Sequence, residues 1–185
     1  STQGVSSAAS DVYKRQQHIV NFFKSKNRKV SYDTLSNYLG YIEEAFLAYK
    51  TERYNIKGKD VVAGNCKYYL NDLSFKNFLY PGFAYGVGYL LENAVYLELR
   101  RLGYIVYTGS FRDKEVDFVA MKDDRVIYLQ ATYMLETAQT MEREYAPLLT
   151  IGDNYEKYVV SMDEVQFPSN EGVRHIQAWN LKEIL

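Results

Sequence analysis

Two predicted neighbouring strands carry polar side chains that could serve in the hydrolysis of phosphate esters. The stretch KEVDFVAMKDDRVIYLQATY puts Asp117 on the first strand and Gln130 and Thr132 on the second, and Glu92 lies on an earlier predicted helix. Metal-assisted hydrolysis of a phosphodiester requires hard oxygen ligands, an activated water and positive charge beside the phosphate. The two carboxylates and the amide oxygen of Gln130 are oxygen ligands, whereas a threonine cannot supply the cation. The pattern therefore indicates a metal site that has lost part of its chemistry.

Each of these residues also has an ordinary structural explanation. Glu92 fits a solvent-facing helix acid, Asp117 fits a strand residue that bonds a neighbouring amide, and the two later residues fit polar strand positions. Lys114 and Glu115 are close enough in sequence to compensate, but in a regular strand Glu115 shares a face with Asp117 and Lys114 does not. We therefore expect inherited architecture more than cleavage, with Mg²⁺ as the cofactor only if nuclease activity persists.

The elements that must position these side chains follow one another in an informative order. An apolar helix is predicted over about 87–102 and must lie against a sheet. Three strands rich in β-branched and aromatic residues follow it, then an amphipathic helix within 137–151 and two further strands. Asn180 and Glu183 predict a capping box for a terminal helix.

This αβββαβ order with a mixed sheet is the core of the restriction-endonuclease-like fold, the PD-(D/E)xK superfamily, and predicts an α/β (α+β) domain over 60–185. Active members of that superfamily carry a glutamate on the helix, an aspartate on the second strand and a (D/E)xK pair on the third. Glu92 and Asp117 occupy the first two positions here, while Gln130 and Thr132 occupy the (D/E)xK positions. The predicted catalytic set is therefore degenerate.

The segment 17–59 predicts a partial winged helix-turn-helix. It reads as a short helix, a basic turn, a second helix that Ser31 or Asp33 caps and that runs to about Lys50, and a hairpin. The segment contains eight lysines and arginines and four acids, and such an excess of positive charge can bind the phosphates of DNA. The alternatives are a solvated connector or a protein-docking module, and Glu43 and Glu44 on the second helix weaken the DNA interpretation. The candidate nucleic-acid-binding residues are Lys26, Arg28, Lys29, Lys57 and Lys59.

The bulk composition excludes some function classes. The chain has 185 residues, a net charge of −1 and one cysteine, and no apolar run approaches the roughly 20 residues that span a bilayer. We expect a cytoplasmic protein without a membrane partner or a zinc site. Residues 1–16 are small and polar, and their end, DVYKRQ, resembles a translated sequencing adapter, so we expect a non-native or disordered leader.

Separate blocks of the chain occur in a fixed order: TLSNYLGYIEEAFLAYKTERYNIKGK, KYYLNDL, GYLLENAVYLELRRLGYIVYTG, KEVDFVA, IYLQATY and EREYAPLLTIGDNYEKYVVSMDE. Over about 17–164 they resemble the C-terminal half of bacterial and archaeal AAA-type ATP-binding proteins. The resemblance implies an N-terminal P-loop ATPase domain, then a winged helix and a restriction-endonuclease-like domain of unknown function. ATP binding would belong to that ATPase domain, because no Walker sequence occurs in this chain.

The leading hypothesis is a non-catalytic C-terminal region of such an ATPase, with a degenerate nuclease-fold domain that binds nucleic acid, in particular DNA, or a protein partner. One alternative is a Mg²⁺-dependent nuclease with an altered site built on Glu92, Asp117 and Gln130. The other is an oligomerisation or docking module, which the nineteen tyrosines suggest.

Overall fold

The chain is described here from a computed structural model over residues 19–79 and 86–185, so the predicted leader lies outside the described residues. Two compact units are present: residues 1–53 with 61–72, and residues 54–60 with 73–185. The hairpin tip therefore belongs to the second unit, and the domain limits proposed from the sequence stay predictions. No helix in the described ranges has the length and hydropathy needed to cross a membrane.

The first helix, α1, covers residues 19–25 and ends because the chain turns at Asn27. Asn27 has a positive φ of 57°, which asparagine tolerates better than most residues. The amide of Asn27 donates to the carbonyl of Lys24, and the amide of Arg28 donates to the carbonyl of Phe23. These two bonds form the Schellman motif that satisfies the last carbonyls of a helix.

The second helix, α2, spans Tyr32–Glu44 and starts as the sequence predicts. Ser31 is its N-cap, and its hydroxyl oxygen accepts a hydrogen bond from the amide of Thr34 at 3.1 Å. Leu35 is buried in the first turn and anchors the helix. Most of the remaining surface of α2 is exposed to solvent or half-exposed.

The C-terminus of α2 differs from the prediction, because the helix ends at Glu44 and not near Lys50. Phe46 has a φ of 54°, and the amides of Phe46 and Leu47 donate to the carbonyls of Glu43 and Ile42. This is a second Schellman motif, but it has phenylalanine where glycine is usual. The apolar spacing continues past the end of the helix, so the sequence alone suggests a longer helix.

Two strands follow α2: β1 covers Ala48–Asn55 and β2 covers Asp60–Leu70. The turn between them has Lys57, Gly58 and Lys59 exposed at its tip. The side chain of Asn55 accepts a hydrogen bond from the amide of Gly58, and the Asn55 carbonyl accepts from the amide of Lys59. The predicted exposed tip is therefore confirmed.

The second unit is built from the hairpin tip and the elements that follow it. They are α3 (Ser74–Leu79), α4 (Val87–Arg101), β3 (Ile105–Phe111), β4 (Lys114–Lys122), β5 (Arg125–Ala131), α5 (Ala138–Leu149), β6 (Glu156–Ser161), β7 (Val173–Gln177) and the 3-10 helix η1 (Ala178–Glu183). The strand order is β3-β4-β5-β6-β7. The first two pairings are antiparallel and the last two are parallel. The expectation of a mixed α/β fold with a mixed sheet is confirmed.

One hydrophobic cluster of the second unit lies between the sheet and α5, and α4 packs on the sheet as well. Tyr145 and Leu148 of α5 are buried there against strand residues such as Val119, Tyr128 and Val159. On α4, Tyr96 is buried and its ring contacts that of Phe118, with centroids 6.3 Å apart. The predicted apolar helix thus lies against the sheet, as its sequence requires.

The terminal element corrects the capping-box prediction. The chain forms η1 from Ala178, before Asn180, and Gln177 takes the N-cap position. The amide of the Asn180 side chain donates to the side-chain oxygen of Gln177 at 3.0 Å. Asn180 therefore acts inside the element and not at its start.

Replacing Phe46 by glycine should stabilise the protein. The left-handed conformation costs a residue with a Cβ about 1–2 kcal/mol, and the greater freedom of glycine in the unfolded chain offsets about half of that relief. We expect Phe46→Gly to raise the free energy of unfolding by about 0.5–1 kcal/mol in urea titrations. Phe46→Ala removes the same exposed ring but keeps the Cβ, so it is the matched control. If the glycine variant is no more stable than the alanine variant, the left-handed backbone at position 46 is not strained.

Candidate functional site

The candidate site lies where β4 and β5 separate. Their ladder runs from the pair Lys122–Arg125 to the pair Phe118–Leu129. Beyond that point, side chains replace the backbone bonds. The amide of Asp117 donates to the Gln130 side-chain oxygen at 3.3 Å, and the amide of Ala131 donates to the Asp117 carboxylate at 2.9 Å. Two predicted site residues therefore meet, but each satisfies the backbone of the other strand.

The other side of β4 is irregular at the same residues. Tyr107 of β3 pairs with Val119, and Gly109 pairs with Val116, so three steps on β4 match two on β3. The extra residue of this β-bulge falls at Asp117 and Phe118. A bulge leaves one residue without a regular ladder partner, and a buried amide without a partner is costly. The Gln130 side chain supplies the acceptor for the amide of Asp117, one of the two residues in this bulge.

Gln130 also connects the sheet to α5. Its amide nitrogen donates to the carboxylate of Glu144 at 3.2 Å. Glu144 is only 6% exposed, and its other oxygen forms an ion pair with Arg143 at 2.6 Å. Both polar atoms of the Gln130 side chain are thus occupied, the oxygen by β4 and the nitrogen by α5. A glutamate at position 130 would put a second carboxylate against Glu144, so the neutral amide fits this environment.

The other two predicted site residues do not complete a metal centre. Thr132 is 8% exposed, and its amide donates to the carbonyl of Val160 on β6 at 3.0 Å. Glu92 is half-buried in α4, next to the buried Leu91. In the described part of the chain, no three acids, histidines or cysteines are grouped so that they could hold a metal ion. Mg²⁺ is usually held by one or two carboxylates together with waters, and here Asp117 Oδ2 and Gln130 Oε1 already accept backbone amides, so the donor set fits Mg²⁺ poorly.

Lys114 does not supply the missing cation. Its ammonium group donates to the carbonyl of Ala146 at 3.4 Å, in the last turn of α5. A cation near the C-terminal carbonyls of a helix is favourable because those carbonyls carry partial negative charge. Lys114 therefore interacts with α5.

A buried polar cluster lies at the end of β6, and the sequence pattern does not predict it. Ser161, Asp163 and His175 are each at most 8% exposed. The Ser161 hydroxyl donates to the Asp163 carboxylate at 2.7 Å, and the same carboxylate accepts from the amide of Leu135 at 2.8 Å. His175 Nε2 lies 2.8 Å from the Ser161 oxygen. The cluster ties β6, β7 and the segment before α5 together.

The bonds of this cluster fix where its protons lie. His175 Nδ1 accepts a hydrogen bond from the amide of Phe167, so the neutral ring carries its proton on Nε2 and donates it to Ser161. The aspartate bonds the serine and not the histidine, which is the wrong order for a nucleophilic triad. Burial lowers the pKa of His175, and the Asp163 carboxylate offsets part of that effect. The role of the cluster is structural. It depends on the β6–β7 register that pairs Val159 with His175.

The first unit carries a concave surface lined by basic residues. This cavity of about 820 Å³ lies between α1 and the start of α2. Lys24, Arg28 and Lys29 line it together with Tyr32, and its described lining includes no acid. The sequence predicts Arg28 and Lys29 as nucleic-acid contacts, whereas Lys24 belongs only to the basic excess of the segment 17–59. We name this surface the basic cavity.

The remaining predicted contacts lie elsewhere. Lys26 is exposed in the turn between the two helices but does not belong to the lining of the basic cavity. Lys57 and Lys59 are exposed at the hairpin tip, within the second unit. Glu43, whose charge weakens the DNA interpretation of the sequence, accepts a hydrogen bond from the Tyr68 hydroxyl of β2 at 3.1 Å and is half-buried. Its charge is therefore less available to repel a phosphate than the sequence suggests.

Comparison with known proteins found relatives in a bacterium and an archaeon. An uncharacterized protein of Haemophilus influenzae is 36% identical over 143 residues, which cover 77% of this chain and 35% of that protein. An uncharacterized protein of Methanocaldococcus jannaschii is 32% identical over 130 residues, 68% of this chain and 28% of that protein. The chain thus spans about a third of the length of these relatives. No protein-family model and no solved structure matches it.

Placing an acid at position 130 should destabilise the fold at neutral pH. In Gln130→Glu two carboxylates meet in a buried setting, and we expect a loss of about 1–3 kcal/mol at pH 8 that shrinks near pH 5, where the pair can share a proton. Urea unfolding at both pH values measures this. The double variant Gln130→Glu/Glu144→Gln restores one donor between the two side chains and should recover most of the loss. Equal stability of the single and double variants at pH 8 would refute the contact.

His175 should make stability fall in weak acid. Its pKa is lowered in the folded state, so the unfolded chain binds the proton more readily. Stability is full above the ordinary histidine pKa of about 6.5 and is lost as pH falls through the folded-state value, by at most about 1.4 kcal/mol per pH unit. The stability of the wild type minus that of His175→Gln, measured by urea unfolding from pH 8 to 5, isolates this effect. A difference that does not change with pH would rule it out.

Proposed function

We propose that this chain is the non-catalytic C-terminal region of an AAA-type ATP-binding protein and that it binds nucleic acid through the basic cavity. In this proposal the first unit is a winged helix-turn-helix and the second is a degenerate domain of the restriction-endonuclease-like type. The ATPase activity would belong to the part of a longer protein that the chain does not cover, in keeping with its span of about a third of its relatives.

The observation that carries the binding proposal is the set of cations in the basic cavity. Lys24, Arg28 and Lys29 are exposed or nearly so, and among the residues described none of them forms an ion pair. Cations without ion-pair partners on one concave surface repel each other, and a bound anion offsets this repulsion. A phosphate backbone supplies repeated anions at close spacing and releases counterions when it binds.

The absence of catalysis is supported by the contacts of Asp117 and Gln130. Asp117 Oδ2 accepts a hydrogen bond from the amide of Ala131, and Gln130 Oε1 accepts one from the amide of Asp117, so the fold already uses one oxygen of each side chain. Thr132 offers no charge for a developing phosphate anion and is buried. The network therefore favours a structural role for residues at nuclease positions.

A second candidate function, self-association, is favoured by the aromatic side chains of α2 and its end. Tyr38, Tyr41 and Phe46 are 53%, 61% and 67% exposed. Exposed aromatic groups on one helix are typical of an interaction surface. Light scattering on the purified chain separates the candidates, because a stable oligomer without affinity for nucleic acid would favour this one.

Binding can be tested by fluorescence anisotropy with a labelled 20-base-pair duplex from 50 to 200 mM NaCl. The variant Lys24→Ala/Arg28→Ala/Lys29→Ala should weaken binding at least about tenfold at low salt and reduce the salt slope by about 2–3, because about one counterion is released per phosphate contact. The control Arg112→Ala/Lys122→Ala/Lys182→Ala removes the same charge from exposed positions of the second unit. Equal losses in both variants would contradict the assignment to the basic cavity.

The same preparation tests catalysis. Single- and double-stranded DNA and RNA are incubated with the chain in Mg²⁺ or Mn²⁺, and we expect no cleavage. Cleavage that Asp117→Ala abolishes would establish the nuclease alternative instead.

A further inference from the structure

The second unit contains a cavity whose main wall is α5. Its volume is about 680 Å³, and cavities of about 300–1,000 Å³ are typical of small-molecule sites. Met141, Tyr145 and Leu149 are four residues apart and therefore line it from one side of the helix. Lys114, at the start of β4, and residues 168–170, between β6 and β7, form other parts of the lining. We name it the α5 cavity.

Lys114 brings a positive charge to the α5 cavity. Its bond to the carbonyl of Ala146 is 3.4 Å long, whereas such bonds usually measure about 2.7–3.2 Å. Among the described residues Lys114 forms no ion pair. Lys114 is half-buried, and a charge that loses part of its hydration is stabilised by a partner of opposite sign. An ammonium group has three donors, so an anion in the cavity can accept from it without displacing Ala146.

Tyr145 brings a second donor to the wall of the cavity. Its side chain is only 3% exposed, and its hydroxyl has no hydrogen-bond partner among the described residues. Burial and, to a smaller extent, the Asp163 carboxylate raise the pKa of Tyr145, so the hydroxyl stays protonated at neutral pH. A buried hydroxyl without a partner is unfavourable, and an acceptor atom of a bound molecule removes that cost.

We infer that the α5 cavity binds a small apolar molecule with a single carboxylate. The carboxylate accepts hydrogen bonds from Lys114 and Tyr145, and the bond from the ammonium group is charge-assisted. The hydrocarbon part packs on Met141, Leu149 and Pro168. None of these residues belongs to the basic cavity, so this site is additional to the proposed nucleic-acid binding and independent of it.

Glu142 limits the charge that the ligand can carry. It lines the same cavity from an exposed position of α5, one helical turn before Ala146. A ligand with a second negative group inside the cavity is repelled by this carboxylate. The cavity therefore suits a monocarboxylate better than a dicarboxylate or a nucleotide.

Octanoate, an eight-carbon monocarboxylate, is the probe that tests the inference. Titrated into the isotope-labelled whole chain, it should shift the amide NMR signals of α5 and of residues 168–170 and should saturate at millimolar or lower concentration. Octanamide has the same hydrocarbon chain without the charge, and octanedioate carries a second carboxylate at its far end. We expect both to bind at least about tenfold more weakly, because the first lacks the charged hydrogen bond and the second meets Glu142.

Lys114→Met tests the cation directly. It should weaken octanoate binding at least about tenfold and leave octanamide binding unchanged. Lys122→Met is the matched control, because Lys122 lies on the same strand and donates to the carbonyl of Leu102 at the end of α4, at 3.0 Å. The control should leave both affinities unchanged.

Two further variants test the site by other means if Lys114→Met fails to fold. Ala146→Phe puts a ring into the cavity from a half-exposed position and should abolish binding of octanoate and octanamide, while circular dichroism shows a folded chain. Tyr145→Phe removes only the hydroxyl and should weaken octanoate binding about three- to tenfold without lowering the melting temperature of the free chain.

Several results would overturn the inference. Equal affinities for octanoate and octanamide, or full octanoate affinity in Lys114→Met, would mean that Lys114 does not hold the carboxylate. Undiminished binding to Ala146→Phe would place the ligand outside the α5 cavity, and octanedioate binding as tight as that of octanoate would remove the role of Glu142. Absence of saturable octanoate binding would refute the site itself. Because the basic cavity takes no part in this experiment, the proposed nucleic-acid binding stands or fails separately.

Discussion

The second unit depends on one constraint: where two strands separate inside a protein, their last backbone groups still need hydrogen-bond partners. At the end of the β4–β5 ladder the partners are the side chains of Asp117 and Gln130. Gln130 then reaches Glu144, so the same contact fixes α5 on the sheet. These residues look like reactive groups in the sequence because polar side chains at strand ends serve both purposes. In this protein the fold already uses Asp117 Oδ2 and both polar atoms of the Gln130 side chain.

A similar constraint shapes the first unit. Both α1 and α2 end in Schellman motifs, and both place a residue other than glycine in the left-handed conformation. For α1 this is Asn27, whose type predicts the turn, and for α2 it is Phe46, whose type does not. The turn after α1 brings Arg28 and Lys29 next to the start of α2 and so builds the basic cavity. Helix termination and charge placement are therefore one structural event.

The sequence predicts elements better than it predicts contacts. Helices α4 and α5 follow from hydrophobic periodicity because each packs one side on the sheet, and β3, β4 and β5 follow from their β-branched and aromatic residues, since the centres of β4 and β5 are buried on both faces. The end of α2 does not follow, since apolar spacing continues through Phe46 and Leu47 after the backbone has turned. The roles of Glu144 and His175 depend on which strand and helix positions meet. Register and bulges decide that, and local composition carries little information about them.

The contact between Gln130 and Glu144 also limits which substitutions are tolerated at these two positions. A carboxylate at position 130 is unfavourable while Glu144 remains, and Glu144 is itself held by Gln130 and Arg143. Drift toward an acid at this strand position therefore requires a prior or simultaneous change on α5, some 14 residues away along the chain. The two positions are therefore epistatic, because the effect of a substitution at one depends on the residue at the other. Once an amide and a helix carboxylate have become partners, single substitutions lead away from a metal-binding arrangement far more easily than toward it.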